Sequence, residues 1–123
     1  MLAWSDTELV GVATYVVDGN ACELLTLHAE TRFSGVGTAL VEAVRRRALD
    51  AGCGLLWVVT TNDNLDALRF YQRRGFRLAR LRTGAVDRSR ATVKPEIPAI
   101  GDHGIPLCDE IELEMLLGAA DRM

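Results

Sequence analysis

Several things are scarce in this chain, and each scarcity removes a class of protein. The three cysteines, Cys22, Cys53 and Cys108, are odd in number and widely spaced. They form no CxxC pair and no metal-ligand pattern, so no metal site is expected and reduced thiols in a cytoplasmic setting are the default. Basic residues are not in excess: 14 face 17 acidic residues, for a net charge of -3. That balance argues against a nucleic-acid partner, which asks for a basic face. Lysine occurs once, at Lys94, against thirteen arginines, an imbalance that points to a GC-rich coding sequence more than to function. No apolar run approaches the roughly 18 residues of a membrane span. No basic segment followed by an apolar one opens the chain, so no signal peptide is read. Internal repeats and low-complexity segments are missing too.

What remains is the composition of one ordinary globular domain, residues 1–123. Length suits a single domain, and 49% apolar with 25% charged residues suffices for a core under a polar surface. The chain is organised around residues Thr31 to Val44, TRFSGVGTALVEAV. This stretch reads as a tight glycine turn that opens into an amphipathic helix, directly after the strand-like run Glu23 to Leu27. A strand, a glycine turn and a helix start in that order leave backbone N–H groups pointing outward at the positive end of the helix. Such a junction is a natural anion site.

Taken in order, Met1 to Thr7 reads as a short polar lead with one aromatic, Trp4. Glu8 to Val17 is rich in β-branched residues and predicts a strand. Asp18-Gly19-Asn20 is a hairpin signal, and Cys22 to His28 pairs back. The first helix runs from Gly37 to about Ala51, with Val36, Leu40, Val44 and Ala48 on its apolar stripe, and Gly52 ends it. Leu55 to Thr61 shows so little alternation that a strand covered on both faces is expected. Asn62-Asp63-Asn64 offers N-capping side chains to a second helix that reaches Arg74. Phe76 to Thr83 is a strand with a slip near Ala79 that suggests a bulge. Ala85 to Val93 is a short helix or irregular turn. Lys94 to Pro106, punctuated by glycine and proline, is a loop long enough to suggest a binding role. Glu110 to Leu117 alternates cleanly, with Ile111, Leu113, Met115 and Leu117 inward and three glutamates outward. The order predicts a mixed α/β sheet with helices packed on it.

Two motifs in this frame carry a resemblance. Arg32-Phe33-Ser34-Gly35-Val36-Gly37 fits the R/Q-x-x-G-x-G/A signature of the GNAT superfamily of N-acetyltransferases. Asn64-x-x-Ala67-x-x-Phe70-Tyr71-x-x-x-Gly75-Phe76 is similar to that superfamily's second motif. They stand about thirty residues apart, each at a strand-to-helix junction, and the segments KPEIP and HGIP ahead of the last strand resemble a bacterial branch of the family. The resemblance implies a GNAT-like acyl-CoA N-acyltransferase fold: an α/β (α+β) domain with a mixed, mostly antiparallel central sheet flanked by helices. It implies acetyl-CoA (coenzyme A) as cofactor and a small-molecule or peptide amine as acceptor, attacked directly in a ternary complex.

The same resemblance distributes roles. Arg32, Phe33, Ser34, Gly35, Val36, Gly37 and Thr38 would hold the pyrophosphate, with glycines clearing the approach to the backbone. Main-chain groups of Leu25, Thr26 and Leu27 would hold the pantetheine and the acetyl carbonyl. Asn64, Ala67 and Tyr71 share one helix face, where the small Ala67 lets a slender chain lie close. Tyr71 inherits the general-acid role on the leaving thiolate, since a phenol near pKa 10 is protonated at neutral pH. Glu23 matches a position where many members carry the general base; His28 is a nearby rival, and His103 in the long loop borders the acceptor side or has no task. Phe70 reads as packing. Arg74 reads as surface or as a phosphate partner.

The family ordinarily opens with a further strand and one or two helices that wall the acceptor side. Here roughly forty such residues are expected to be absent, as in an N-terminally truncated domain. Apolar surface left uncovered by them would favour a homodimer. A second reading stays open: a coenzyme A-binding or dimerising module without turnover. A Rossmann nucleotide-binding domain is the poor third, because no acidic residue ends a strand about 20 residues past the glycines.

Overall fold

The structure, a computed structural model, describes residues 1–30 and 34–118. It divides into two compact units, residues 1–58 with the stretch from 115 onward, and residues 59–114.

In the first unit, β1 (Leu2–Ser5), β2 (Glu8–Asp18) and β3 (Ala21–Ala29) pair antiparallel in succession. β3 then pairs parallel with the first four residues of β4 (Leu55–Thr61). Between them runs α1 (Val36–Asp50), packed on β2 and β3. Side chains alternate along each strand. One face of β3 and β4 therefore buries Cys22, Leu24, Leu56 and Val58. Helix α1 buries Leu40, Val41, Val44, Ala48 and Leu49. Its buried stripe leans toward Val41 and Leu49, while Ala39 on the other flank stays exposed.

Two expectations change here. Residues Met1 to Thr7 are no mere lead: Leu2–Ser5 form β1, with the N-terminal amine donating to the Ala13 carbonyl at 2.8 Å and the Ala13 N–H to the Met1 carbonyl at 2.9 Å. Four residues are too few to display a period, and the partner strand supplies the ordering. β4 is deeply covered on one face only; Leu55 and Trp57 on the other remain half-exposed.

In the second unit, α2 (Leu65–Arg73) packs against β5 (Arg77–Arg82), which pairs antiparallel with β6 (Glu110–Leu116). The ladder slips between Leu78 and Arg80, the bulge expected at Ala79. Parallel and antiparallel pairings occur together, as the element order predicts, and the antiparallel ones predominate, as the family resemblance implies. The glutamates of β6 do not all face water. Glu112 is 6% exposed, its carboxylate held by Arg80 at 3.0 Å and Arg82 at 2.8 Å. Alternation reports which face a residue occupies, and arginines from the next strand cover that face.

Helix α3 (Ala85–Thr92) and the chain that follows are bound tightly together. The Arg90 guanidinium donates to the carbonyls of Ile97, Pro98 and Leu107 at 2.7–2.9 Å. The Asn62 amide donates to the Pro106 carbonyl, and its oxygen accepts from the N–H groups of Cys108 and Asp109. The Asp63 carboxylate accepts from the Asp102 N–H at 2.9 Å, beside a 3-10 turn at Asp102–Gly104. The long segment read as a loop is thus irregular in path but fixed at both ends and in the middle.

Candidate functional site

The first cluster of expected site residues lies on β3 and at the opening of α1, both in the first unit. Along β3 the register with β2 jumps: Thr14 faces Thr26, and Tyr15 faces Leu24. Leu25 is the extra residue of a β-bulge, its side chain 53% exposed. A bulge leaves the residue's backbone groups out of the ladder and re-aims them. Next to it, the hydroxyls of Thr14 and Thr26 meet at 2.6 Å and pin the register. The bulge therefore falls on the stretch Leu25 to Leu27, and no hydrophobic or turn signal in the sequence announces it.

After β3 comes the glycine turn. Arg32 and Phe33, expected to contribute to the cofactor site, lie outside the described residues, as does Thr31. Ser34 is exposed, and Gly35 is the N-cap of α1 in the left-handed region, φ 85°. A side chain at Gly35 would be strained there, and among the described residues nothing fills the space it would enter. The first turn of α1 contains Val36, Gly37 and Thr38, with no acidic residue and no side-chain cap from Gly35. The helix begins one residue before the expected Gly37. Its first turn supplies no carboxylate to offset the helix dipole.

Gly11, which sequence reading passes over, sets how closely that turn approaches the sheet. A Cβ there would lie 2.7 Å from Val36 Cγ1 and 2.9 Å from Leu40 Cδ1. Only hydrogen on this β2 residue lets the opening of α1 sit so near β2.

Glu23 lies two residues before the bulge, facing Val16 on β2 and Trp57 on β4. It lines a cleft of about 360 Å³ with Val16, Val17, Asp18, Ala21 and Trp57. His28 is exposed, its Nε2 3.9 Å from the Glu30 carboxylate. Cys22 and Cys53 are fully buried, and burial, helped by Cys53, pushes the Cys22 thiol up to about 11. Thiolate chemistry at Cys22 is thereby excluded near neutral pH.

The remaining expected residues lie in the second unit, on α2. Asn64 is the N-cap, its Oδ1 accepting from the Ala67 N–H at 3.1 Å. Ala67 is half-buried one turn on. Tyr71 is 7% exposed, with its ring edge-on to Phe70 and Phe76, centroids 5.3 Å away in both cases. Burial raises its phenol above the usual value, so the proton stays on the oxygen at neutral pH. Phe70 packs as expected. The Arg74 guanidinium stacks 3.9 Å over the Phe70 ring and donates to the Phe70 carbonyl at 3.0 Å. His103 sits in a left-handed conformation, φ 59°, its Nε2 3.9 Å from the Asp66 carboxylate. Among the described residues no cluster of histidine, cysteine, aspartate and glutamate could hold a metal ion.

Residues 1–76 match the model of the acetyltransferase (GNAT) family. That is more than half of the chain, and the chain belongs to this family. It is 41% identical over 104 residues to YdhI of Bacillus subtilis strain 168, covering 85% of this chain and 64% of that one. It is 42% identical over 108 residues to YxbD of the same organism, covering 88% and 67%. Both relatives are uncharacterized, and the chain spans only about two thirds of their length. Its fold matches a Bacillus subtilis acetyltransferase solved with CoA, at TM-score 0.81 and 22% identity over 95% of this chain and 75% of that one. It also matches a GNAT family acetyltransferase from Elizabethkingia anophelis with acetyl-CoA bound, at TM-score 0.82 and 25% identity, over 94% and 74%. No helix among the described residues is long and apolar enough to cross a membrane.

Proposed function

We propose that this chain is an acetyl-CoA-dependent N-acetyltransferase that acetylates a primary amine by direct attack in a ternary complex. One observation carries the reading most: a strand bulged at Leu25 is followed by a helix whose opening has a left-handed glycine, no described residue filling the space above it, and no acidic residue in its first turn. That cradle fits the pyrophosphate of coenzyme A, because a side chain at Gly35 would occupy it and a carboxylate in the first turn would repel it.

Ser34 to Thr38 would hold the diphosphate through backbone N–H groups. Leu25 to Leu27 would hold the pantetheine arm and, through a main-chain N–H, polarise the acyl carbonyl. Asn64 and Ala67 would flank the arm. When bound, acetyl-CoA supplies an acetyl thioester. Glu23 accepts the proton that leaves the acceptor ammonium, so that the amine lone pair is free to attack. Tyr71 donates the proton of its hydroxyl to the departing sulfur, and the amide and the free thiol are the products. Burial of Tyr71 supports this assignment, since an acid must hold its proton until the thiolate forms.

The test is direct. Thermal shift with coenzyme A and acetyl-CoA should raise the melting temperature, and thiol release over a panel of primary amines should show turnover. Tyr71→Phe should lower kcat by about a hundredfold, within the usual range for a general acid, while sparing cofactor affinity. Unchanged turnover would remove Tyr71 from the role. Binding without any thiol release would leave a coenzyme A-binding module instead.

A further inference from the structure

The second unit holds a cleft that the acetyl-transfer reading does not use. It measures about 260 Å³ and is lined by Thr61, Val86, Ser89, Val93, Lys94, Ile97, Leu107 and Glu110. Its apolar part is Val86, which is buried, with Ile97 and Leu107 half-buried and Val93 71% exposed. Its polar part is one cation, Lys94, one carboxylate, Glu110, and the hydroxyls of Thr61 and Ser89.

The walls are preformed. One guanidinium, Arg90, ties the backbone of Ile97 and Pro98 on one side to that of Leu107 on the other, and the Asp87 carboxylate 3.0 Å away balances its charge. The Asp109 carboxylate fixes the turn before α3 by accepting from the Gly84 N–H at 2.7 Å. A cleft braced in this way does not collapse when empty, which spares a ligand the ordering cost that weakens most small sites.

Its charges are available. The Lys94 ammonium enters no ion pair among the described residues. Glu110 meets Arg82 through Oε1 alone, at 3.4 Å, so that Oε2 can take a second donor. The cleft offers an anion, a cation and an apolar surface that stands partly open to water. The volume lies just below that of drug-sized pockets.

We propose that this cleft binds a small zwitterion of the amino-acid type, with its ammonium toward Glu110, its carboxylate toward Lys94 and an aliphatic or aromatic arm against Val86, Ile97 and Leu107. The inference goes beyond the acetyl-transfer reading and stands or falls separately from it, because the ligand binds whether or not an acetyl group moves.

Amide-resolved NMR titration of the full chain with L-leucine and L-phenylalanine tests it. The controls are 3-methylbutylamine, which lacks the carboxylate, 4-methylpentanoate, which lacks the ammonium, and glycine, which lacks the arm. The expected result is saturable shifts at Ser89, Val93, Lys94, Ile97 and Leu107, with leucine or phenylalanine binding about tenfold tighter than any control. Lys94→Glu, at an exposed position, should weaken the zwitterion by about fivefold or more and leave 3-methylbutylamine unweakened. Ser89→Leu should block all of them. No shifts at these residues up to millimolar ligand, or equal shifts with every control, overturns the inference. Adding acetyl-CoA then sorts the two sources of such a ligand. N-acetylated product makes it an acceptor; binding without product makes it an effector, and both outcomes support the site. Failure of acetyl transfer with every amine bears on the enzyme reading alone.

Discussion

Of the buried apolar side chains among the described residues, thirteen lie in the first unit and four, Tyr71, Phe76, Val86 and Leu113, in the second. Both buried carboxylates, Asp63 and Glu112, belong to the second. The first unit is held by periodic burial: α1 lays one stripe on alternating strand residues. The second is held by directed polar contacts, in which Asn62, Asp63, Arg90 and Asp109 each fasten backbone groups at another part of the chain. The difference teaches where each unit is fragile. Apolar burial is non-directional and scales with area, whereas a buried polar contact is worth little when made and costs much when half-broken.

The largest effect should come from the first unit. Leu56 is fully buried on β4. Leu56→Ala should cost about 3 kcal/mol in a urea melt, the transfer and cavity terms together. Val86→Ala in the second unit removes one carbon fewer, next to an open cleft, and should cost about 1 kcal/mol. A larger loss at Val86 would break the comparison.

Next comes a polar fastening. Asp63 is 5% exposed and accepts from the Thr61 hydroxyl and the Asp102 N–H. A Cβ on Gly101 would lie 2.1 Å from its Oδ2, so no bulkier residue fits beside it. Burial alone would raise its carboxyl; the bonds from Thr61 and Asp102, with His103 nearby, outweigh that and lower it. Asp63→Ala should cost about 2 kcal/mol at pH 7. Because the folded carboxyl titrates below its unfolded value, near 3.9, this contribution is fully present above about pH 4 and fades as pH falls below it. The gap between wild type and variant in urea melts should therefore narrow at pH 3. A constant gap would mean that the charge of Asp63 does no stabilising work.

The contrast between units also explains which features were legible in the sequence. Burial with a period shows as a pattern in residue types, so β2, β3, β4 and α1 could be placed within about two residues. β1 could not, since its order comes from β2. The fastenings leave no period. Asn62, Asp63 and Asn64 read together as capping residues, yet only Asn64 caps; the other two reach forward more than thirty residues. The cradle at Gly35 announces itself through glycine, while the bulge at Leu25 arises from register between two strands and carries no residue signature. Gly11 carries no such signal, because its reason, the approach of Val36, lies in another element.

Gly11 offers a smaller and sharper test. Gly11→Ala places a methyl group 2.7 Å from Val36 Cγ1, and the opening of α1 must yield. The expected cost is about 1.5 kcal/mol, together with a smaller melting-temperature gain from acetyl-CoA. Val36→Ala in the same chain should recover part of both, since it relieves the nearer contact while Leu40 Cδ1, 2.9 Å from the same Cβ, remains. Lost stability with an unchanged cofactor response would separate the height of α1 from the binding cradle.

The smallest effect comes at Asn64, where a structural and a proposed functional role meet in one side chain. Its Oδ1 caps α2 through the Ala67 N–H, and the proposed contact with the pantetheine arm falls to its Nδ2. Asn64→Ala should cost about 1 kcal/mol, the worth of an N-cap. Asn64→Asp keeps the accepting oxygen and adds a charge that the helix N-terminus favours, so the melting temperature should hold or rise slightly. The donor is gone, however. If Nδ2 holds the cofactor, acetyl-CoA affinity in calorimetry falls for Asn64→Asp although the fold is no weaker. Equal affinity in both proteins would reduce Asn64 to its cap.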